Sequence, residues 1–298
     1  MAKCTGKLPN PLNIDSVDIV NQTYPPFAIW GFQEEPKTAE LINNGDTIFI
    51  RLTYVDDHPA ISGGPLNEKF IYEQLYFHWM GNDTFDSEDR TSTAFFPAEL
   101  HMVFRNGKYP TLAKAAKESN GVAVLAYNYM VTKSSSFLYD PLMEIIENVV
   151  RPGAVAKFRS PVKLWGFITS EINHYYTYTG SLTTPPCSED VIWIDFKYPI
   201  YISEKQIELF RKIYTVDKTP MIYSYRPLLP FNNNTVFSAI SLMDPDDEYT
   251  EYHSAVPFVD RLVGGATMWK PVEINILFGV FSSIFMTTWI ATTRQTMA

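Results

Sequence analysis

The sequence predicts a β-dominated α+β fold with short peripheral helices. Three observations predict it. Short apolar runs alternate with turn signals along most of the chain, and several of them alternate in and out with period two, as half-buried strands do. Helical patterns are few and short. The chain is 298 residues long and 46% hydrophobic, enough for one large domain with a full core.

The strand runs come in order as DTIFIRLTYV (46–55), FIYEQLYFHW (70–79), AELHMVF (98–104), GVAVLAYNYM (121–130) and VIWIDF (191–196). The helical runs are TLAKAAKES (111–119), DPLMEIIENVV (140–150) and SEKQIELFRKIY (203–214). The last has an acidic first turn and basic residues later, as the helix dipole favours. Residues 1–240 form the predicted domain. Residues 241–273 follow as an acidic connector, with DPDDEYTEYHSAVPFVD at 244–260. Ile274–Thr293 is a charge-free stretch of 20 residues, about the length that spans a bilayer as a helix. It reads as a transmembrane helix or, with Gly264-Gly265-Ala266 upstream, as a lipid-anchor signal.

The net charge is -9 and no basic patch is present, which argues against nucleic acid as a partner. Cys4 and Cys187 are the two cysteines, too far apart for a CxxC motif. They read as two unrelated thiols or as one long-range disulfide, which requires an oxidising compartment. Sequons at Asn21, Asn82 and Asn233 lean toward glycosylation and a secreted chain. No apolar signal core is visible in MAKCTGKLPN, so secretion requires a truncated start or a lost signal.

The chemistry-bearing residues are His78 in LYFHWM and His101 in ELHMVF. Side chains alternate across a strand, so Gln74, Tyr76 and His78 share one face, and Glu99 and His101 share another. If the two strands are neighbours, both histidines converge, with a polar residue behind each as ligating histidines have. A single histidine in an apolar strand is more often a hydrogen-bonded core residue. With two so placed, the metal and core readings are about even.

The stretch YTYTGSLTTPPCSEDVIWIDF (176–196) resembles the active-site loop of the α-class carbonic anhydrases. The similarity extends in family order through INNG (42–45), GGPL (63–66), FHW (77–79), SED (87–89), ELHMVF (99–104), GVAVLA (121–126) and RPL (226–228). It implies a large, mostly antiparallel twisted sheet with a zinc at the base of a cleft. It implies three histidine ligands: His78 matches the second, His101 the third, and the first falls on Tyr76. Thr183 matches the threonine that orients zinc-bound hydroxide, and Glu88 the carboxylate that accepts its proton. Gln74 and Glu99 match the residues behind the ligands. Val103, Leu182 and Thr184 match substrate-pocket positions. Cys4 and Cys187 match the disulfide of extracellular members. Asp46 stands at the position of the proton-shuttling histidine.

The departures set the functional expectation. The family reaction hydrates CO2 to bicarbonate, using zinc to lower the pKa of bound water to about 7. A structural zinc site is worth roughly 10–16 kcal/mol, so one lost ligand costs about 2.5–4 kcal/mol, or ~10²–10³ in affinity. A phenol ordinarily ionises near 10, so Tyr76 is a costly substitute ligand. A carboxylate at 46 is a poor proton acceptor near neutral pH. The first expectation is therefore a catalytically impaired protein with zinc weak or absent. It would be tethered to the membrane by its tail on the extracellular face of the plasma membrane, recognising an unknown extracellular partner. The alternative is a zinc-dependent carbonate dehydratase with a degraded but working site, acting on CO2 and bicarbonate.

Overall fold

The computed structural model describes residues 19–55, 58–81, 96–182, 188, 190–221 and 235–240. Twelve strands in these residues join one sheet. In chain order they are β1 (Ile19–Thr23), β2 (Ala28–Trp30), β3 (Thr38–Asn43), β4 (Ile48–Thr53), β5 (Ala60–Gly63), β6 (Leu66–Trp79), β7 (Ala98–Asn106), β8 (Val122–Thr132), β9 (Val155–Lys157), β10 (Tyr175–Gly180), β11 (Val191–Ser203) and β12 (Val236–Ile240). The spatial order is β1-β12-β10-β11-β8-β7-β6-β4-β3-β9, with β5 pairing β6 and β2 pairing β5. Most pairings are antiparallel; β1 with β12 and β8 with β11 are parallel. The sheet-dominated architecture is the one the alternating runs predict.

Period-two alternation sorts each central strand into two faces. One face of β6 and β7 carries Leu75, Phe77, Trp79, Leu100, Met102 and Phe104 into the larger core, every one of them fully buried. The opposite face carries Tyr76 and Val103 into a smaller apolar cluster with Val124, Ala126, Tyr178, Leu182 and Trp193. The functional site therefore sits on the reverse of the main core. Phe77 meets Phe210 edge-on with centroids 5.3 Å apart, and the Trp79 indole N–H donates to the Met221 carbonyl at 2.7 Å. These contacts hold the end of β6 that carries His78 from behind.

The helices are shorter than their sequence patterns. Of residues 111–119 only α1 (Leu112–Ala115) is helical, capped by the Thr111 hydroxyl, which accepts from the Lys114 N–H. Asn120 then adopts φ 55, and a side chain at Gly121 would overlap the Ala115 carbonyl, so the chain turns back there. Residues 140–150 split into α2 (Asp140–Met143) and a 3₁₀ turn at Ile146–Val149. Ile145, Ile146 and Val149 are all buried in the main core, so tertiary packing overrides helix propensity. The third helix, α3 (Glu204–Phe210), has a full capping box between Ser203 and Gln206, which satisfies two otherwise orphaned backbone donors.

The turn between β3 and β4 is tied down from within. Asn43 is fully buried, and its side-chain amide lies 3.0, 3.2 and 3.2 Å from the carbonyls of Val149, Val150 and Tyr214. Its Oδ1 accepts from the Gly45 N–H at 2.8 Å. Gly45 has φ 91 and faces Val216, so no side chain fits there. Downstream, the Thr47 hydroxyl donates to the Phe77 carbonyl, linking this turn to β6. Replacing Asn43 by leucine keeps the branched shape but removes the hydrogen bonds to the Val149 and Tyr214 carbonyls and the acceptor of the Gly45 N–H, while the Val150 carbonyl keeps the Tyr214 N–H; a buried group left unpaired costs about 1–3 kcal/mol. Asn43→Leu is expected to destabilise the domain by about 3 kcal/mol in thermal or denaturant unfolding. A change under about 0.5 kcal/mol contradicts this account of the turn.

Candidate metal centre

Strands β6 and β7 pair so that Tyr76 stands directly opposite His101, His78 opposite Glu99, and Gln74 opposite Val103. The ladder slips by one residue between Tyr72 and Gln74. That bulge leaves Gln74, Tyr76 and His78 on the face predicted for them. The two histidines converge as neighbouring strands require: their ring centroids are 4.8 Å apart. Tyr76 completes a triangle, 5.4 Å from His78 and 5.2 Å from His101, edge-on to both at 87° and 84°. All three residues are buried, with 3%, 6% and 2% exposure for Tyr76, His78 and His101.

The two nitrogens of His101 differ in environment. Nε2 lies 3.0 Å from Glu99 Oε1, at ion-pair distance but off the line of a hydrogen bond, and Nδ1 is buried with no hydrogen-bond partner at all. A carboxylate behind one ring nitrogen and nothing on the other is the orientation of a metal-binding imidazole. Burial raises the Glu99 carboxyl, but His101 and His78 beside it outweigh that and hold it below the ordinary carboxylate range. Trp193 closes the other side of His101, edge-on at 4.9 Å.

The remaining expected site residues fall in three groups. Val103 and Leu182 are buried in the same apolar cluster as Tyr76, and Gln74 is half-buried on β6. Asp46 is exposed in the turn before β4, its N–H donating to Asn44 Oδ1 at 2.9 Å. Thr183, Thr184, Glu88, Cys4, Cys187, Asn82 and Asn233 lie outside the described residues, as does Ile274–Thr293. Asn21 is exposed on β1.

One residue of this wall escaped the sequence analysis. Asp195 lies two residues beyond Trp193 on β11, and so on the face of the small cluster. Its Oδ2 accepts from the Tyr178 hydroxyl at 2.9 Å, while Oδ1 is buried without a partner. Burial, with the Glu99 charge adding to it, pushes its carboxyl up to about 8. A lone aspartate on the same strand face as a tryptophan, within VIWIDF, was the available signal.

Across this fold, the model of the eukaryotic-type carbonic anhydrases matches residues 1–240. The chain belongs to that family. It is 33% identical to carbonic anhydrase 7 of Mus musculus over 78% of this chain and 88% of the relative. It is 27% identical to the putative carbonic anhydrase 3 of Caenorhabditis elegans over 80% and 92%. It is 33% identical to mitochondrial carbonic anhydrase 5B of Rattus norvegicus over 69% and 66%.

These relatives overturn the expectation of a protein on the extracellular face of the plasma membrane. One is named as mitochondrial, and none as secreted or cell-surface. Among the described residues, no helix is long and apolar enough to cross a membrane. The expectation had rested on three tripeptide sequons, on two cysteines that match a disulfide of extracellular members, and on the apolar stretch Ile274–Thr293; the cysteines and the stretch lie outside the described residues.

Members of the family normally bind zinc, and His101 is oriented to serve as a ligand. The donor set is nonetheless incomplete. A catalytic zinc needs three protein ligands and one open position, and no group of three His, Cys, Asp or Glu side chains converges among the described residues. Two imidazoles and a phenol do not fit that zinc.

The raised Asp195 carboxyl yields a stability prediction. The folded state holds this proton up to about pH 8, whereas an unfolded aspartate releases it near 3.9. Between those values the folded state binds more protons, so the contribution of Asp195 to stability falls as pH rises from about 4 toward about 8. Asp195→Asn, neutral throughout, is expected to be more stable than wild type at pH 7.5 by more than about 1 kcal/mol, with the gap closing below about pH 4. A gap independent of pH would contradict the assignment.

Proposed function

We propose that this member of the carbonic anhydrase family is catalytically impaired, and that its site has little capacity to hold zinc and hydrate CO2. The observation that carries this reading is the position of Tyr76. It faces His101 across the β6–β7 ladder and shares a strand face with His78. The third nitrogen donor of the family site is thereby replaced by a phenol. Three nitrogen ligands let zinc generate hydroxide near neutral pH; two leave it loosely held, with altered charge and geometry. Asp46 adds a second defect, because a carboxylate relays protons poorly from a group that titrates near 7. Recognition of a partner is the role left to the domain.

A second reading is a zinc-dependent carbonate dehydratase with a degraded but working site. It is favoured by the His101 ring, whose Nδ1 has no partner while Glu99 backs Nε2. Under either reading His78 and His101 are the metal-facing pair, with Gln74 and Glu99 behind them. Thr183 and Glu88 are the hydroxide-orienting pair carried over from the resemblance. Val103, Leu182 and Thr184 shape the pocket.

Stopped-flow CO2 hydration separates the readings. Wild type is expected to hydrate CO2 weakly or not at all. Tyr76→His is expected to raise the rate by at least about a hundredfold. A further Asp46→His is expected to raise turnover again, by about tenfold or more. Strong wild-type activity with stoichiometric zinc would sink the first reading. A Tyr76→His protein that binds zinc tightly yet gains no activity would move the defect away from residue 76.

A further inference from the structure

We infer that a cleft between residues 137–142 and 161–167 binds a small aromatic carboxylate. The cleft is built on the main-core side of the sheet, away from the metal-facing histidines, so the inference holds whether or not zinc is bound.

Unburied apolar surface is the first support. Phe137, Leu138 and Trp165 are 61%, 46% and 42% exposed, and all three line this cleft, with Pro141 and Pro161 beside them. Single apolar residues scattered over a surface mean little, but a contiguous patch marks a binding site. The cleft volume is about 300 Å³. That is the small end of ligand sites, and it admits one or two fused rings rather than a folded partner.

The walls stand in place before any ligand arrives. Leu142, Val162 and Phe167 form the floor and are buried in the main core. Phe167 meets the buried Tyr139 ring edge-on at 5.5 Å, and the Tyr139 hydroxyl lies 2.7 Å from that of Tyr129. The Trp165 backbone N–H donates to the Phe32 carbonyl at 2.9 Å, and the Gly166 N–H to the Lys163 carbonyl at 3.1 Å. These bonds fix the 3₁₀ turn Leu164–Phe167, which carries the Trp165 ring. Preorganised walls spare a ligand the cost of ordering them.

Lining chemistry then selects the ligand class. The flat faces of Trp165 and Phe137 favour an aromatic ring. Gln33 and Lys163 supply the polar lining, and Lys163 is its one charged residue among the described residues. Lys163 Nζ lies 3.4 Å from Glu35 Oε1, and both side chains are exposed, so that pair is weak. An ammonium carries three donors, more than a single carboxylate oxygen at that distance engages. A carboxylate on the ring takes another of them, with the Gln33 amide as a further donor. An amine on the same ring would meet a like charge instead.

The test is equilibrium dialysis of the full-length protein against 2-naphthoate at neutral pH. The amide 2-naphthamide and the cation 2-naphthylmethylammonium are run beside it, since they keep the ring and change the charge. The expected result is naphthoate bound with a dissociation constant of about 1 mM or tighter, and the amide and the cation bound at least about fivefold more weakly. Lys163→Gln is expected to weaken naphthoate at least about fivefold while leaving the amide unchanged. Trp165→Ala is expected to weaken naphthoate and amide alike, by about tenfold. Both residues lie at the surface, and circular dichroism establishes that each variant is folded. Three results overturn the inference: no naphthoate bound at millimolar concentration, the cation bound as tightly as the carboxylate, or undiminished naphthoate affinity in Lys163→Gln.

Discussion

The register between β6 and β7 is the constraint on which the site depends. Pairing Tyr76 with His101 and His78 with Glu99 brings three aromatic side chains and one carboxylate to a single point on the reverse of the main core. Because side chains alternate with period two, a slip of one residue would send His78 into the hydrophobic core and Phe77 to the site. The large buried residues on the far face oppose such a slip. Trp79 is anchored to the Met221 carbonyl, and Phe77 is wedged against Phe210. The same packing that makes the fold stable therefore aims the histidines, and it aims Tyr76 along with them.

The electrostatics around that point are unusual for so apolar a wall. Glu99 is kept ionised by the two histidines, and Asp195 is kept protonated past neutrality by burial and by Glu99. Two carboxyls on neighbouring parts of the wall thus hold different charge states, set by their surroundings rather than by their own chemistry. Trp193 lies against His101, and Tyr178 lies parallel to Trp193 while donating to Asp195. Asp195 and the imidazole are joined through this aromatic pair, so the apolar wall behind the site is polar only at separated points.

Much of this could be read from the residues. Alternation in FIYEQLYFHW and AELHMVF placed Gln74, Tyr76, His78, Glu99 and His101 on the faces where they lie, because strand geometry leaves no other choice. Three features could not be read. The bulge between Tyr72 and Gln74 has no local sequence mark. The parallel pairing of β8 with β11 joins segments some 70 residues apart, and only the tertiary fold determines it. The 140–150 pattern favoured one helix, but burial of Ile145 and Ile146 bends it into two pieces. Asp195 was missed for a different reason: an acidic residue in a strand is ordinarily placed on the solvent face, and here it points toward the cluster.

The central claim is that one side chain, Tyr76, separates this site from a working three-nitrogen zinc centre. Zinc affinity of the wild-type domain and of Tyr76→His, measured side by side by competition with a chelator, tests it most directly. The account predicts that the histidine variant binds zinc about 10²–10³ times more tightly, the worth of one ligand. Equal affinities would contradict it, and would place the control of metal binding somewhere other than residue 76.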